Sequence, residues 1–284
     1  MPAPTAPADL ADCVRRALAE DIGSGDITAQ LVPAHERAQA RVVARERAVV
    51  CGRPWVDEVF RQLDASIKLD WKFGESGRCD ADDVLFTLSG PARALLTGER
   101  CALNFLQTLS GTATATRAFV DAVAGTGCAI VETRKTLPGL RTAQKYAVVC
   151  GGGVNNRIGL YDAILIKENH IAAAGGIAQA IAQARALKAG VPLMTEAETL
   201  DECRAALAAD VDLVLVDEFP PPELREAVAL TRAHRARGGR TLIEYSGGTT
   251  LANVRALAES GVDRISVGSI TKHVHAVDLS MRFF

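Results

Sequence analysis

The chain has no apolar run approaching the ~20 residues that a membrane-spanning helix needs. Its start, M-P-A-P-T-A-P-A-D, carries neither the basic beginning nor the apolar stretch of a signal peptide. It has no charge excess: 34 acidic residues stand against 32 basic ones in 284 residues. That near-balance argues against a nucleic-acid or membrane-surface protein. There is no CxxC. The seven cysteines (Cys13, Cys51, Cys79, Cys101, Cys128, Cys150, Cys203) are odd in number and scattered, so a disulfide framework and a zinc site are both poorly supported. Reduced, mostly buried thiols in a cytoplasmic protein are expected. The five histidines are scattered too, with only His273 and His275 close together. No low-complexity linker interrupts the chain.

What is present is an apolar content of 48%, enough for a large core. From about Cys128 onward, short β-rich runs alternate with helical stretches. The runs are Ala129–Glu132, Asp162–Lys167, Val191–Glu196, Val211–Asp217, Thr241–Ser246 and Arg264–Gly268. Alanine-rich segments 176–189, 200–208, 222–237 and 251–260 have helical periodicity between them. Such alternation implies a parallel sheet, and the nearly all-apolar runs imply burial on both faces. An open doubly wound sheet and a closed barrel both fit. Residues 1–105 read differently, as a mixed α+β layer: helices over 9–20 and 54–63, strands over 39–51 and 66–73, then a turn and strand within 79–89. Residues 92–109 read as a helix, with 110–125 leading onward.

Residues 133–170 are the most informative stretch. They hold Arg134, Lys135, Arg141, Lys145, Arg157 and Lys167 against Asp162 and Glu168. Arg134 and Lys135 follow one predicted strand, Arg157 precedes the next and Lys167 ends it. Four cations around one strand mouth repel each other unless an anion sits among them. Glu196 and Asp217 end two successive strands, where carboxylates hold Mg²⁺ through substrate phosphates and water or contact sugar hydroxyls. Ser246-Gly247-Gly248 and Val267-Gly268-Ser269 follow the last two strands, where barrels often bind phosphate. Gly151-Gly152-Gly153 looks instead like a helix end and turn. No Ser-His-Asp or Cys-His arrangement stands out. The residues point to a barrel enzyme for a phosphorylated sugar and a carboxylate-bearing partner.

The chain resembles the quinolinate phosphoribosyltransferase family. The resemblance is carried by E-D-I-G-S-G-D-I-T (20–28), L-S-G-P-A-R-A-L-L-T-G-E-R (88–100), all of 133–170, L-V-L-V-D-E-F (213–219) and I-S-V-G-S-I-T-K-H-V (265–274). It implies an N-terminal α/β sandwich, residues 1–109 joined by the tail 271–284, and a C-terminal open α/β barrel, residues 110–270. The implied reaction moves the phosphoribosyl group of phosphoribosyl pyrophosphate to quinolinate with loss of CO₂, giving nicotinate mononucleotide. Homodimers or larger assemblies that share the site are implied as well.

By the same resemblance, Arg100 (reaching a partner subunit), Thr133, Arg134, Lys135, Asn156, Arg157 and Lys167 surround the substrates. Lys135, Glu196 and Asp217 carry the catalysis, and Glu196 and Asp217 face Mg²⁺, directly or indirectly. Ser246, Gly247, Gly248, Val267, Gly268 and Ser269 form the phosphate loops. Two positions depart from the family pattern. Asn156 replaces a histidine and cannot become cationic. Met194 stands where many relatives have a glutamate. The alternative is a same-fold paralogue that binds another carboxylate or an oxyanion.

Overall fold

The computed structural model describes residues 4–284. The chain first forms α1 (Leu10–Ile22), a 3₁₀ turn (Thr28–Leu31), β1 (Arg37–Ala44), β2 (Ala48–Val49) and α2 (Arg53–Leu63). β3 (Lys68–Trp71), β4 (Arg78–Cys79), β5 (Val84–Pro91) and α3 (Ala92–Ala122) follow. Next come β6 (Ala129–Val131), α4 (Arg141–Cys150), β7 (Ile164–Ile166), α5 (Glu168–Ala174), α6 (Ile177–Ala186), β8 (Leu193–Ala197) and α7 (Leu200–Ala208). The last elements are β9 (Leu213–Asp217), α8 (Pro221–Ala236), β10 (Leu242–Ser246), α9 (Val254–Glu259), β11 (Arg264–Ser266), α10 (Ser269–Lys272) and β12 (Leu279–Phe283).

Two compact units result. One holds the described residues up to Arg117 with Lys135–Gly152 and Ser269–Phe284; the other holds Ala118–Arg134 and Gly153–Gly268. The linear division at 109/110 expected from the sequence separates neither 135–152 nor 110–117 from the barrel residues. By packing, both segments belong with the first unit.

The first unit is built on an antiparallel sheet in the order β12-β1-β5-β3. Its core includes Trp55, Phe60, Phe86, Leu95 and Leu106, all nearly fully buried. Each such side chain contributes about 1.5–3 kcal/mol by leaving water. The chain end returns here: β12 pairs with β1, and Val277 N–H donates to the Gln107 carbonyl at 3.1 Å. Gly111 makes that return possible, because a Cβ there would collide with the His275 carbonyl. The helix expected over 92–109 runs on to Ala122. Its S-G-T-A-T-A-T stretch stays helical because small side chains pack closely and their hydroxyls find partners. Ser110 Oγ bonds both the N–H and the carbonyl of Cys51, and Thr116 Oγ1 donates to the Thr112 carbonyl. The strand expected over 39–51 divides into β1 and β2.

The second unit is a parallel sheet in the order β6-β11-β10-β9-β8-β7. The first strand lies beside the last, as in a barrel, and β6 and β7 are the sheet's two edges with no pairing between them among the described residues, so the barrel is open along that seam. Segment 153–154 lines the seam: Val154 N–H donates to the Ile130 carbonyl at 2.8 Å, and Val154 bridges Val131 in parallel. All six predicted strands are present, five of them trimmed and the one expected over 191–196 shifted to 193–197. The predicted helices over 176–189, 200–208, 222–237 and 251–260 appear as α6, α7, α8 and α9. α5, which sequence reading left out, directly follows Lys167.

Candidate active site

Side chains on a strand alternate between faces. In β7, β8 and β9 the inward face therefore carries Leu165, then Lys167; Met194, then Glu196; and Leu215, then Asp217. Met194, Leu213, Leu215 and Ala163 form an apolar plug with Leu165 packed against it. Lys167, Glu196 and Asp217 rise above that plug at the C-terminal ends of the strands. Met194 thus fills space where a carboxylate would need a partner. Lys167 Nζ contacts Glu196 Oε2 at 2.6 Å, and in the register Asp217 pairs with Ser246. Four neighbouring strands thereby place a cation, two carboxylates and a hydroxyl around one rim.

The seam supplies the other cations. Glu132 is fully buried just past β6, and its Oε1 accepts the Asn156 N–H at 2.8 Å. Asn156 Oδ1 accepts the Arg157 N–H at 2.9 Å, and Arg157 Nη1 donates to the Ala163 carbonyl at 3.3 Å. Asp162 closes the loop by accepting the N–H groups of Ile158 and Gly159 at 2.7 and 2.9 Å. Burial, then the positive field of Arg134, holds the Arg157 guanidinium below its ordinary range, against the opposing pull of Asp162. The half-buried Arg134 keeps its Nε away from water without a hydrogen-bond partner. Two guanidiniums in each other's field are stabilised by an anion between them.

The glycine loop after β10 is open to a ligand. Gly248 has φ 54°, with empty space where a side chain would be, and its carbonyl accepts from Asn253 Nδ2 at 3.0 Å. Gly247 leaves room for Glu218, whose own φ is 52° and whose N–H donates to the Ser246 carbonyl at 2.9 Å. After β11, the Val267 side chain is buried and its N–H is taken by the Val131 carbonyl at 2.9 Å. Val267 therefore holds the loop in place, and its amide is already spent.

Comparison with known proteins now decides the kinship. The sequence profile for the quinolinate phosphoribosyl transferase C-terminal domain matches residues 112–282, and that for the N-terminal domain matches 26–110. The chain belongs to the quinolinate phosphoribosyltransferase family. It is 42% identical to a probable nicotinate-nucleotide pyrophosphorylase [carboxylating] of Synechocystis, over 93% of this chain and 89% of the relative. It is 41% identical to the Mycobacterium leprae nicotinate-nucleotide pyrophosphorylase [carboxylating], over 95% of each. The solved nicotinate-nucleotide pyrophosphorylase from Francisella tularensis superposes with a TM-score of 0.91 at 42% identity, covering 100% of this chain and 99% of that one.

Within this quinolinate phosphoribosyltransferase family member, Thr133, Arg134, Asn156, Arg157, Lys167, Glu196, Asp217, Ser246, Gly247, Gly248, Val267 and Gly268 all lie in the barrel unit. Arg100, Lys135 and Ser269 belong to the other unit. Lys135 is exposed directly after Arg134. Arg100 lies on α3 with its side chain 61% exposed. Glu132, Asp162, Glu218 and Asn253 are not among the residues expected from the sequence to bind substrate or phosphate. Their work is to hold backbone, and no motif spacing announces that.

Proposed function

We propose that this chain transfers the phosphoribosyl group of phosphoribosyl pyrophosphate to quinolinate with decarboxylation, in NAD biosynthesis. The observations that carry this reading are two: the field of Arg134 on Arg157 in the barrel unit, and the Lys167–Glu196 pair at the C-terminal ends of β7 and β8. A dianionic acid satisfies both guanidiniums through paired hydrogen bonds. The pyridine nitrogen of quinolinate carries its own lone pair, so the attack on C1 needs no general base, in keeping with the lack of an evident one.

As pyrophosphate departs, positive charge grows on the ribose, and Glu196 and Asp217 face it as fixed negative charges. Lys167 holds the Glu196 carboxylate in place. Lys135 meets the leaving group. The loop at Ser246–Gly248, with Gly268 and Ser269, cradles the 5′-phosphate. The nitrogen of the coupled ring is cationic, which stabilises the carbanion left at C2 when CO₂ departs. Holding two mutually repelling polyanions in line is the main task of the site.

The donor set fits Mg²⁺, a hard cation that prefers carboxylate, phosphate and water oxygens. Lys167 already engages one oxygen of Glu196, so Asp217 is the better protein ligand and Glu196 acts through water. When bound, Mg²⁺ neutralises charge on pyrophosphate. A homodimer, in which Arg100 enters the partner's site, agrees with the exposure of Arg100 on α3. A cytoplasmic location agrees with the lack, among the described residues, of any helix long and apolar enough to cross a membrane.

The test mixes the protein with Mg²⁺, phosphoribosyl pyrophosphate and carboxyl-labelled quinolinate and measures CO₂ release. Release that requires all three supports the reading. Binding of quinolinate without turnover, or turnover of a different acid, overturns it.

A further inference from the structure

We propose that Cys51, Glu75 and Cys150 form a binding site for a thiophilic divalent cation of the zinc class, separate from the barrel rim. The two thiol sulfurs and a carboxylate oxygen lie within 4.8 Å of one another, and Cys150 Sγ sits 3.5 Å from Glu75 Oε2. Ligand atoms around one tetrahedral zinc ion are spaced at roughly 3.4–3.8 Å, given Zn–S near 2.3 Å and Zn–O near 2.1 Å. The three groups therefore need only a small contraction to close on an ion.

Hydrogen bonds fix the position of each ligand residue. Cys51 exchanges hydrogen bonds with Ser110 Oγ through both its N–H (3.0 Å) and its carbonyl (3.1 Å). Glu75 Oε1 accepts the N–H groups of Gly52 and Arg53 at 3.0 and 2.6 Å, which leaves Oε2 turned to the thiols. Cys150 ends α4, whose terminus is fixed by the Gly151 N–H on the Ala147 carbonyl. Both cysteines are buried and Glu75 is half-buried, so an ion and a fourth ligand water enter from the Glu75 side.

Without metal, the Cys150 thiol donates to the carboxylate. On binding, both thiol protons leave to solvent, two S–metal bonds form and no electrons are transferred. Two thiolates and a carboxylate select zinc or cadmium and reject Mg²⁺. The ion joins the start of α2 to the end of α4, the helix that follows Lys135 and bears Arg141 and Lys145.

The test uses the full-length protein, reduced, stripped with chelator and kept in excess Mg²⁺. Cadmium is titrated in while thiolate-to-cadmium ultraviolet absorption and Tm are followed. The expected result is saturation at about one equivalent with a rise in Tm. In the Cys51→Ser/Cys150→Ser protein the band is lost, whereas Cys203→Ser, a buried thiol of the other unit, leaves it unchanged. Absence of the band at one equivalent, or its persistence in the double variant, overturns the site. If the double variant does not fold, zinc-edge X-ray absorption on the zinc-loaded wild-type protein decides. Two sulfurs at about 2.3 Å support the site, and a shell of nitrogen and oxygen alone overturns it.

Discussion

Lys167 Nζ lies 2.6 Å from Glu196 Oε2, with the glutamate side chain 8% exposed and the lysine side chain 45% exposed. The carboxylate is thus held in place inside the barrel by one cation at the end of the neighbouring strand. Lys167→Ala strands it. The expected loss in kcat/KM is at least ~100-fold, about 2.7 kcal/mol of transition-state stabilisation. Stability falls by roughly 1–3 kcal/mol, the scale of a hydrogen bond to a charged group. Steady-state kinetics beside thermal melts separate the two effects. Lower stability with unchanged kcat/KM would reduce the pair to a structural contact.

Asn156 accepts the Arg157 N–H but brings no charge to the seam. A histidine there is cationic below about pH 6.5. Asn156→His is expected to lower the quinolinate KM by about three- to tenfold near pH 6, with the gain fading toward pH 8 as the imidazole loses its proton. The readout is a pH series of quinolinate KM. A KM that rises at every pH would mean that the loop requires the asparagine carbonyl.

Glu132 anchors that same loop from a fully buried position. Glu132→Ala removes the acceptor for the Asn156 N–H and loosens residues 155–162, while Val154 stays paired to β6. Quinolinate affinity is expected to fall at least tenfold, about 1.4 kcal/mol, while affinity for phosphoribosyl pyrophosphate changes little. Calorimetric titration of each ligand tests this, and an equal loss for both would point to general unfolding of the barrel.

Asp26, in the E-D-I-G-S-G-D-I-T motif, accepts the Ala29 N–H at 2.9 Å and the Thr97 hydroxyl at 2.8 Å. The Ala29 N–H first and the Thr97 hydroxyl second hold its carboxyl below the usual carboxylate range. A depressed folded-state value means that the ionised form favours folding. Its contribution is complete above the unfolded-state value of about 3.9 and is lost as pH falls through the lower folded value. Asp26→Asn is expected to be less stable than wild type near neutral pH, with the gap narrowing below about pH 4. Thermal melts from neutral pH downward read this out, and a gap that does not narrow assigns the effect to geometry alone.

Much of the barrel was legible in the chain. Runs such as Leu213–Asp217 are apolar until their last residue, and that pattern marks both a buried strand and the end where chemistry sits. Lys167, Glu196 and Asp217 were therefore readable as rim residues before any geometry. The length of α3 was not, because Gly111 and the threonines after it have weak helix preference, which packing overrides. Nor was the commitment of the Val267 N–H to Val131, since a glycine-flanked sequence does not reveal which amides are already spent.

By itself the sequence determined the alternation of strands and helices, the charged strand ends and the family, because these depend on local periodicity and on residues adjacent in the chain. Only the tertiary structure decided three further things. The first strand lies beside the last, with an open seam at β7. Glu132 holds the Asn156 loop at that seam. Cys51 and Cys150, distant in the chain and unrelated by any metal-binding spacing, meet across Glu75. Each of these depends on register and on loop closure between remote segments, and those are settled by how the whole unit packs.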